Sequence, residues 1–393
     1  MHATAQIDRS DVPVDRLFDG WAIGSLRLAN RMVMPPMGRH FVEDGVPSAD
    51  YADYFARRAV GGFGLVMTEL CCIDHPSSQK TPGYARMYGD DVRAPYRAIT
   101  AAVHAGGGRI VAQIAHCGVM RPLGTAPNPE APPLGPSGLF LALGGLAGEP
   151  VRYAEPASTK DIEHVVRAFG DAVAFARDLG FDGVELHGAH GYLIDQFLWP
   201  RTNLRTDEYG GPMGNRVRLA VEVVRECRRR LPADYPLFFR WSQWKQQDYG
   251  ARLCESPKEL EALLLPLADA GVDVFDCSTR RVWQAEFPGS HLNLAGWTKK
   301  ISGKPTVTVG SLLLDQIPLL DGPGASPDSP ATPIATDTPA SISFAVAMLE
   351  RGECDLIAFG RSSIANPDLP AKIRGRHWAA IESYRPELLN TLV

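Results

Sequence analysis

The chain has 393 residues, of which 45% are hydrophobic and 22% charged, so it can bury a sizeable core like other globular proteins. Its net charge of −5 gives no electrostatic reason to bind nucleic acid or an anionic membrane, and its apolar runs fall short of the ~20 residues that span a bilayer. The polar start lacks the apolar stretch of a secretory signal, and the seven cysteines form no CxxC pair, which favours a reduced, cytoplasmic setting.

Short apolar and β-branched runs alternate along the chain with segments of helical periodicity. The runs predict strands at 31–34, 63–67, 109–114, 181–186, 236–240, 272–276, 305–309 and 355–359. Helices are predicted at 161–179, 215–230 and 257–270, and Gly180, Gly271 and Gly352 each end a helical stretch just before a strand. Because nearly continuous apolar strands are buried on both faces, the pattern indicates a parallel sheet covered by helices. We therefore expect an α/β fold with a single (β/α)8 TIM barrel, with a doubly wound open sheet as the alternative.

Two segments break this regular spacing. Residues 117–156, after the third strand, are rich in Pro and Gly, and we expect them to form a loop excursion over the barrel mouth. Residues 321–339, after the seventh strand, consist mainly of Pro, Ala, Ser, Thr and Asp, which predicts an insertion without a core of its own. Neither segment has the composition of a second domain, so residues 1–393 are predicted to form one domain.

The most informative motif follows the fourth predicted strand, where His187, His190 and Tyr192 stand close together in sequence. Two imidazoles can donate hydrogen bonds to one substrate oxygen, and a phenol can supply a proton nearby. The motif predicts an enzyme that polarises the carbonyl group of a small-molecule substrate. A metal-dependent hydrolase or lyase stays open as an alternative, although no third carboxylate ligand accompanies the histidines. Structural roles are expected for the isolated histidines His40, His104 and His116.

The seventh and eighth predicted strands end in glycine-containing motifs. Gly310 follows the seventh strand, and Gly360-Arg361 follow the eighth. In such barrels the reactive groups lie at the carboxyl ends of the strands, and phosphate is often bound after the last two. Backbone amides would bind the phosphate, and Arg361 would add a charge-assisted contact. The two motifs together predict a phosphorylated cofactor.

Over residues 17–369 the chain resembles the Old Yellow Enzyme family of FMN-dependent oxidoreductases. The motifs that carry the resemblance are residues 23–37, 112–118, 185–193 with 196–198, 203–211 with 215–216, and 359–361 with 366–367. Their length and their order along the chain argue against chance. The resemblance implies a flavoprotein that binds FMN at the barrel mouth and is reduced by NAD(P)H.

The resemblance also implies which residues bind the cofactor. They are Pro36, Met37, Gly38, Leu70, Gln113, Arg240, Gly310, Gly360 and Arg361. Gln113 would bind the pyrimidine edge of the flavin, and Arg240 would stabilise the anionic reduced ring. The two glycines after the last strands and Arg361 would hold the phosphate.

For the reaction, the resemblance implies an ene-reductase that reduces activated C=C bonds of α,β-unsaturated carbonyl compounds. His187 and His190 would bind the carbonyl oxygen, or a phenolate oxygen, and stabilise an enolate-like transition state. Tyr192 would donate a proton to the α-carbon as flavin N5 delivers hydride to the β-carbon. A flavin-dependent amine dehydrogenase or carbonyl desaturase on the same barrel is the alternative within the family. The exposed barrel helices would allow a homodimer.

Two places depart from the family pattern. Gly38 has no side chain where the family often has Cys or Thr, so its effect on the flavin potential stays open. Residues 241–245 are richer in aromatic side chains than the family pattern, and Trp244 is predicted to narrow the substrate pocket.

Overall fold

In the computed structural model, which describes residues 12–143, 148–314 and 337–392, eight parallel strands close into a barrel. The strands in chain order are β1 (Trp21–Ile23), β2 (Leu26–Leu28), β3 (Met32–Met34), β4 (Val42–Glu43), β5 (Val46–Pro47), β6 (Leu65–Cys72), β7 (Ala85–Arg86), β8 (Arg109–Ala115), β9 (Leu139–Phe140), β10 (Val151–Arg152), β11 (Gly183–His190), β12 (Leu237–Lys245), β13 (Val274–Ser278), β14 (Thr306–Val309) and β15 (Leu356–Ala358). The barrel order is β3-β15-β14-β13-β12-β11-β8-β6, and pairing of β3 with β6 closes the ring. The predicted (β/α)8 barrel is confirmed, and the open sheet is wrong.

Helices follow most barrel strands and cover the outside of the ring. They are α1 (Asp50–Val60), α2 (Arg93–Ala105), α3 (Thr159–Asp178), α4 (Leu193–Leu198), α5 (Met213–Arg216), α6 (Arg218–Arg230), α7 (Pro257–Ala270), α8 (Leu294–Ser302), α9 (Thr338–Glu350), α10 (Arg361–Ala365) and α11 (Leu369–Arg374). The helix predicted at 215–230 is divided at Val217, which separates α5 from α6. Among the helices in the described ranges, none combines the length and the apolar character that a membrane crossing requires.

The amino-terminal end of the barrel has an apolar floor. Inward-facing side chains such as Val33, Val111 and Phe238 form one buried cluster with Leu26 and Leu28 of the β1–β2 hairpin. The hairpin is tied to the loop before β12, where the Ser25 N–H donates to the carbonyl oxygen of Asp234 at 2.7 Å. The hairpin was not predicted from the sequence, since its two strands are too short for a clear alternation.

The helix α3 shows how the outer layer is fixed. At its start, the Asp161 N–H donates to Ser158 Oγ at 3.3 Å and the Ser158 N–H donates to Asp161 Oδ2 at 2.8 Å, a reciprocal capping box. Its buried face includes Ile162, Val165, Phe169 and Val173, which pack in the cluster between helices and strands. This cap and apolar face position α3 against β8 and β11.

The two predicted excursions have different outcomes. Residues 117–143 and 148–156 follow β8 and contain the antiparallel pair β9–β10, and their place over the barrel mouth stays a prediction. Of the insertion predicted at 321–339, residues 321–336 lie outside the described residues. Its last two residues are helical, because α9 begins at Thr338 and buries Pro339 in its first turn. Proline is tolerated there since the first-turn N–H has no helical partner, so the predicted boundary at 339 was wrong.

Candidate active site

Three barrel strands run at least four residues further toward the mouth than their apolar runs predict. β6 continues to Cys72, β11 to His190 and β12 to Lys245. Parallel pairing continues into these polar extensions, with His187 of β11 opposite Arg240 of β12. The polar side chains therefore stand on rigid strands above the apolar floor, and His187 and His190 belong to β11 itself, although the motif was expected to follow the strand.

The two histidines of β11 reach the same space because the strand is irregular between them. Residues three apart on a regular strand point to opposite faces of the sheet. Here the register with β12 shifts between Gly188 and His190, and His190 adopts a φ of 63°. A bulge of this kind redirects a side chain. The ring centres of His187 and His190 consequently lie 5.2 Å apart.

Both imidazoles are held by polar neighbours in a buried setting. His187 Nδ1 lies 3.5 Å from Gln113 Nε2, and His190 Nε2 lies 2.8 Å from Ser278 Oγ. Burial lowers the pKa of both histidines well below the usual value, and the positive charge of Arg240 lowers it further. The rings are therefore neutral near pH 7, and each carries one N–H. Neutral donors of this kind suit a carbonyl oxygen that gains negative charge.

Tyr192 lies beside His187, with 4.8 Å between the ring centres. The side chain is buried, and burial raises the pKa of its phenol above the usual value. Hydrogen bonds with Gln246 and Tyr84 act in the opposite direction and lower that pKa. Because burial dominates, Tyr192 keeps its proton at neutral pH and can donate it. Tyr84 comes from the irregular segment before β7, where no periodic signal could have identified it.

A layer of charged groups lies across the barrel at the level of Arg240. Arg240 Nη1 is 3.6 Å from Asp276 Oδ2, and Gln113 Nε2 donates to Glu185 Oε1 at 2.7 Å. Burial raises the pKa of Glu185 and of Asp276, and the neighbouring Asp276 carboxyl raises that of Glu185 further. Within the described part of the chain, Arg240 Nε is buried without a hydrogen-bond partner. Buried polar atoms left in this way favour the binding of a polar ligand.

Above this layer, a cavity of about 370 Å³ opens at the carboxyl ends of the strands. The predicted site residues that line it are Pro36, Met37, His190, Arg240, Trp244, Gly310, Gly360 and Arg361. Those that lie outside its lining are Gly38, Leu70, Gln113, His187 and Tyr192. Lining residues that the sequence analysis did not assign to the site include Gln246, Tyr249, Ser278, Thr279 and Arg280. The fold thus brings His190 of the histidine motif and the residues of both phosphate motifs to one cavity.

The wall of the cavity beside His190 is aromatic. The Trp244 ring lies 4.4 Å from the His190 ring at an interplanar angle of 31°. Its position is fixed by Nε1, which donates to the carbonyl oxygen of Ser278 at 3.2 Å, and Tyr249 packs edge-on against it at 6.0 Å. The indole therefore limits the space next to the imidazole that is expected to bind substrate.

The opposite end of the cavity is built on backbone and one guanidinium group. A Cβ added to Gly310 would lie 2.4 Å from Thr279 Oγ1, so a side chain there would collide with the neighbouring strand end. Gly360 directly precedes α10, and a Cβ added to it would lie 3.9 Å from Met37 Sδ and 3.9 Å from Pro35 Cγ, in ordinary van der Waals contact. The Arg361 guanidinium lies 5.7 Å from the Tyr384 ring centre. This arrangement can present N–H groups and a positive charge to an anion.

The space left by Gly38 is filled by a neighbour. A Cβ added to Gly38 would lie 2.8 Å from His40 Nε2. His40 adopts a φ of 58°, and its ring lies 4.9 Å from that of Tyr84, the hydrogen-bond partner of Tyr192. The imidazole of His40 therefore takes the room of the missing side chain.

The other two isolated histidines make hydrogen bonds away from the cavity. The Gly118 N–H donates to His116 Nδ1 at 2.9 Å, so His116 Nε2 carries the proton and lies 3.2 Å from His75 Nδ1. His104 Nε2 lies 2.8 Å from Asp182 Oδ2. These contacts agree with the structural roles expected for both. Within the described ranges, no group of three or more His, Cys, Asp or Glu residues is arranged to hold a metal ion.

Comparisons with known proteins give matches over most of the chain. Residues 16–318 match the model of the NADH:flavin oxidoreductase / NADH oxidase family. An NADH oxidase from Thermoanaerobacter brockii is 31% identical over 363 residues, which cover 91% of this chain and 50% of the relative. The chain thus spans about half the length of that relative.

Solved structures also match most of the chain. An old yellow enzyme homologue from Zymomonas mobilis superposes with a TM-score of 0.76 at 27% identity, covering 95% of this chain and 96% of the homologue. Morphinone reductase in complex with tetrahydroNAD superposes with a TM-score of 0.75 at 26% identity, covering 95% of this chain and 93% of that protein.

Proposed function

The chain belongs to the NADH:flavin oxidoreductase / NADH oxidase family, the family of Old Yellow Enzyme, and we propose that it reduces activated C=C bonds of α,β-unsaturated carbonyl compounds with NAD(P)H. It is a flavin oxidoreductase with FMN as cofactor and NAD(P)H as reductant. The observation that carries the proposed reaction is the grouping of two neutral imidazoles and a protonated phenol, His187, His190 and Tyr192, beside the cavity.

The residues present fit FMN on three counts. The buried Arg240 has an Nε without a partner in the described residues, at the base of a cavity that needs a polar ligand there. The far end of the same cavity has Gly310, Gly360 and Arg361, which suit a phosphate. Pro36 and Met37 give the wall between them an apolar surface suited to a planar ring. We assign the remaining predicted contacts, from Gly38, Leu70 and Gln113, to the edge of that ring.

FMN, held by Arg240 and by the Gly310, Gly360 and Arg361 end of the cavity, would supply hydride chemistry there, with NAD(P)H as the hydride source and the β-carbon of the substrate as the acceptor. The chain's own residues act on the substrate. His187 and His190 donate N–H groups to its carbonyl oxygen and stabilise the negative charge that develops there. Tyr192 gives its hydroxyl proton to the α-carbon, and the hydrogen bonds from Tyr84 and Gln246 stabilise the phenolate that is left.

The first test uses the spectrum of the purified protein. Anaerobic NAD(P)H should bleach the flavin absorbance, and a simple enone such as 2-cyclohexenone should restore it. A simple phenol should give a long-wavelength charge-transfer band with the oxidised enzyme. A folded protein that takes up no FMN, or that stays reduced with every enone tried, would contradict the proposal.

Substitution of Tyr192 separates the two half-reactions. In Tyr192→Phe, re-oxidation of the reduced enzyme by the enone should slow by about 10²-fold or more, because the proton donor is gone. Bleaching by NAD(P)H should stay within about twofold, since no proton from Tyr192 enters that step. The exposed-surface variant His104→Ala is the control and should change neither rate. Equal slowing of both half-reactions in Tyr192→Phe would mean that the residue shapes the pocket without donating a proton.

The comparisons leave the metal-dependent alternative without support, because the matched family is defined by flavin chemistry. We also propose the cytoplasmic setting expected from the sequence, which is supported by the seven cysteines, all of them free and buried. A homodimer remains a prediction.

A further inference from the structure

A fully buried ion pair lies behind the turn that joins His190 to Tyr192. Lys245 Nζ, at the end of β12, is 2.9 Å from Asp195 Oδ1 in α4, and both side chains are 0% exposed. Removing two charges from water carries a large desolvation penalty, and apolar residues of similar size would often be as stable. Stability alone therefore does not account for this pair.

The second carboxylate oxygen of Asp195 and the ammonium group of Lys245 form hydrogen bonds with backbone atoms. Asp195 Oδ2 accepts a hydrogen bond from the Gly191 N–H at 2.7 Å. Lys245 Nζ donates to the carbonyl oxygens of Ser242 at 3.0 Å and Gln243 at 2.8 Å. The pair thus connects the turn after β11 to the aromatic-rich end of β12, the stretch whose composition departs from the family pattern.

The turn itself is in a conformation that needs such support. His190 and Gly191 adopt consecutive positive φ angles of 63° and 81°. The left-handed region is unfavourable for a residue with a side chain, and it persists where the surroundings over-determine it. Ser242 Oγ accepts from the His190 N–H at 3.1 Å, and Gln196 Nε2 donates to the Gly191 carbonyl oxygen at 2.7 Å. Contacts from β12 and from α4 therefore meet at these two residues.

We propose that Asp195 and Lys245 are positioning residues that hold the His190–Tyr192 turn, and so set where the substrate oxygen and the proton donor stand relative to each other. This inference rests on the proposed function for the roles of His190 and Tyr192. Burial raises the pKa of Asp195 to about 6 and lowers that of Lys245, while each charge offsets the effect of burial on its partner. Removing one charge alone would leave the other buried and unpaired, so only a paired substitution tests positioning without risking the fold.

The test variant is Asp195→Asn/Lys245→Met. It removes both charges at similar volume, keeps an acceptor for the Gly191 N–H and loses the link to the carbonyls of β12. In the FMN-loaded protein, a simple phenol should bind about tenfold more weakly or worse, and re-oxidation by 2-cyclohexenone should slow by a similar factor. Amide hydrogen exchange should quicken in peptides that cover residues 187–198 and stay unchanged in those from the barrel floor.

The chain offers a matched control at the other end of the barrel. Lys299 Nζ lies 3.0 Å from Asp355 Oδ1, and Asp355 Oδ2 accepts from the Thr306 N–H at 3.0 Å, so this pair also holds backbone. Asp355→Asn/Lys299→Met should leave phenol affinity, re-oxidation and exchange at 187–198 within about twofold of the parent.

The outcomes separate the two proposals. If exchange at 187–198 and phenol affinity are unchanged in Asp195→Asn/Lys245→Met with FMN bound, the positioning role is overturned. If the unsubstituted enzyme binds no phenol and reduces no enone, the proposed function fails. Hydrogen exchange then still decides whether the pair holds the turn.

Discussion

At His190 the backbone has a φ of 63°, and the strand register shifts just before it. The sequence could identify His187, His190 and Tyr192 as a group, because their spacing is that of a known motif. It could not show that the two imidazoles share one face, since a regular strand would separate them. The partners Ser278 and Tyr84 come from other parts of the chain, so only the tertiary fold brings them to the site.

A prediction about a single residue concerns Trp244, which is expected to limit the space beside His190. In Trp244→Ala, the cavity should widen beside His190, because the indole ring now lies 4.4 Å from the imidazole ring. The ratio of kcat/KM for a bulky enone to that for 2-cyclohexenone should rise by about tenfold, equivalent to ~1.4 kcal/mol. The matched control is Tyr249→Phe, which keeps the neighbouring ring. An unchanged ratio over a panel of enones would show that Trp244 does not limit the pocket.

At the scale of elements, all eight barrel strands are where the apolar runs predict them, because burial on both faces leaves a strong pattern. The carboxyl ends of the strands differ from the prediction, because β11 and β12 continue through polar residues. These residues stay paired between the two neighbouring strands. Composition cannot reveal such polar strand ends, which look like loops. The boundary at Pro339 was wrong for a similar reason, as a proline-rich stretch leads directly into α9.

For a single helix, the cap of α3 allows a prediction about the free energy of unfolding. Ser158→Ala should lower the free energy of unfolding by about 1 kcal/mol, because the Asp161 N–H loses its acceptor. Urea unfolding followed by circular dichroism measures the change. Ser158→Thr keeps a hydroxyl acceptor and should stay within about 0.5 kcal/mol of the parent. Equal losses in both variants would mean that the capping box contributes little to this helix.

For the molecule as a whole, the barrel combines an apolar floor, a charged layer and a cavity above them. The sequence predicted reactive groups at the carboxyl ends of the strands, but it did not predict the hairpin below the apolar floor or the pairing within the charged layer. The burial of four histidines also has a consequence for stability. Burial lowers the pKa of His75, His116, His187 and His190, so the folded chain resists protonation at each of these positions.

His75 allows this acid sensitivity to be measured at one position. Its pKa falls from the usual 6.5 to about 4, mainly through burial. Between these values the unfolded chain binds a proton that the folded chain does not, so the contribution to stability is complete above pH 6.5 and is lost as the pH falls toward 4. The loss amounts to about 3 kcal/mol at most. In His75→Gln, unfolding free energy should depend less steeply on pH in this window, and parallel curves would contradict the prediction.

Within the part of the chain that the structure describes, the β1–β2 hairpin and the apolar cluster above it close the barrel from below, and the cavity opens at the carboxyl ends of the strands. Under the proposed function, NAD(P)H and the oxidant both enter at this mouth, so the oxidised dinucleotide has to leave before the oxidant binds. Reduction of the flavin and reduction of the oxidant would then alternate in a fixed order.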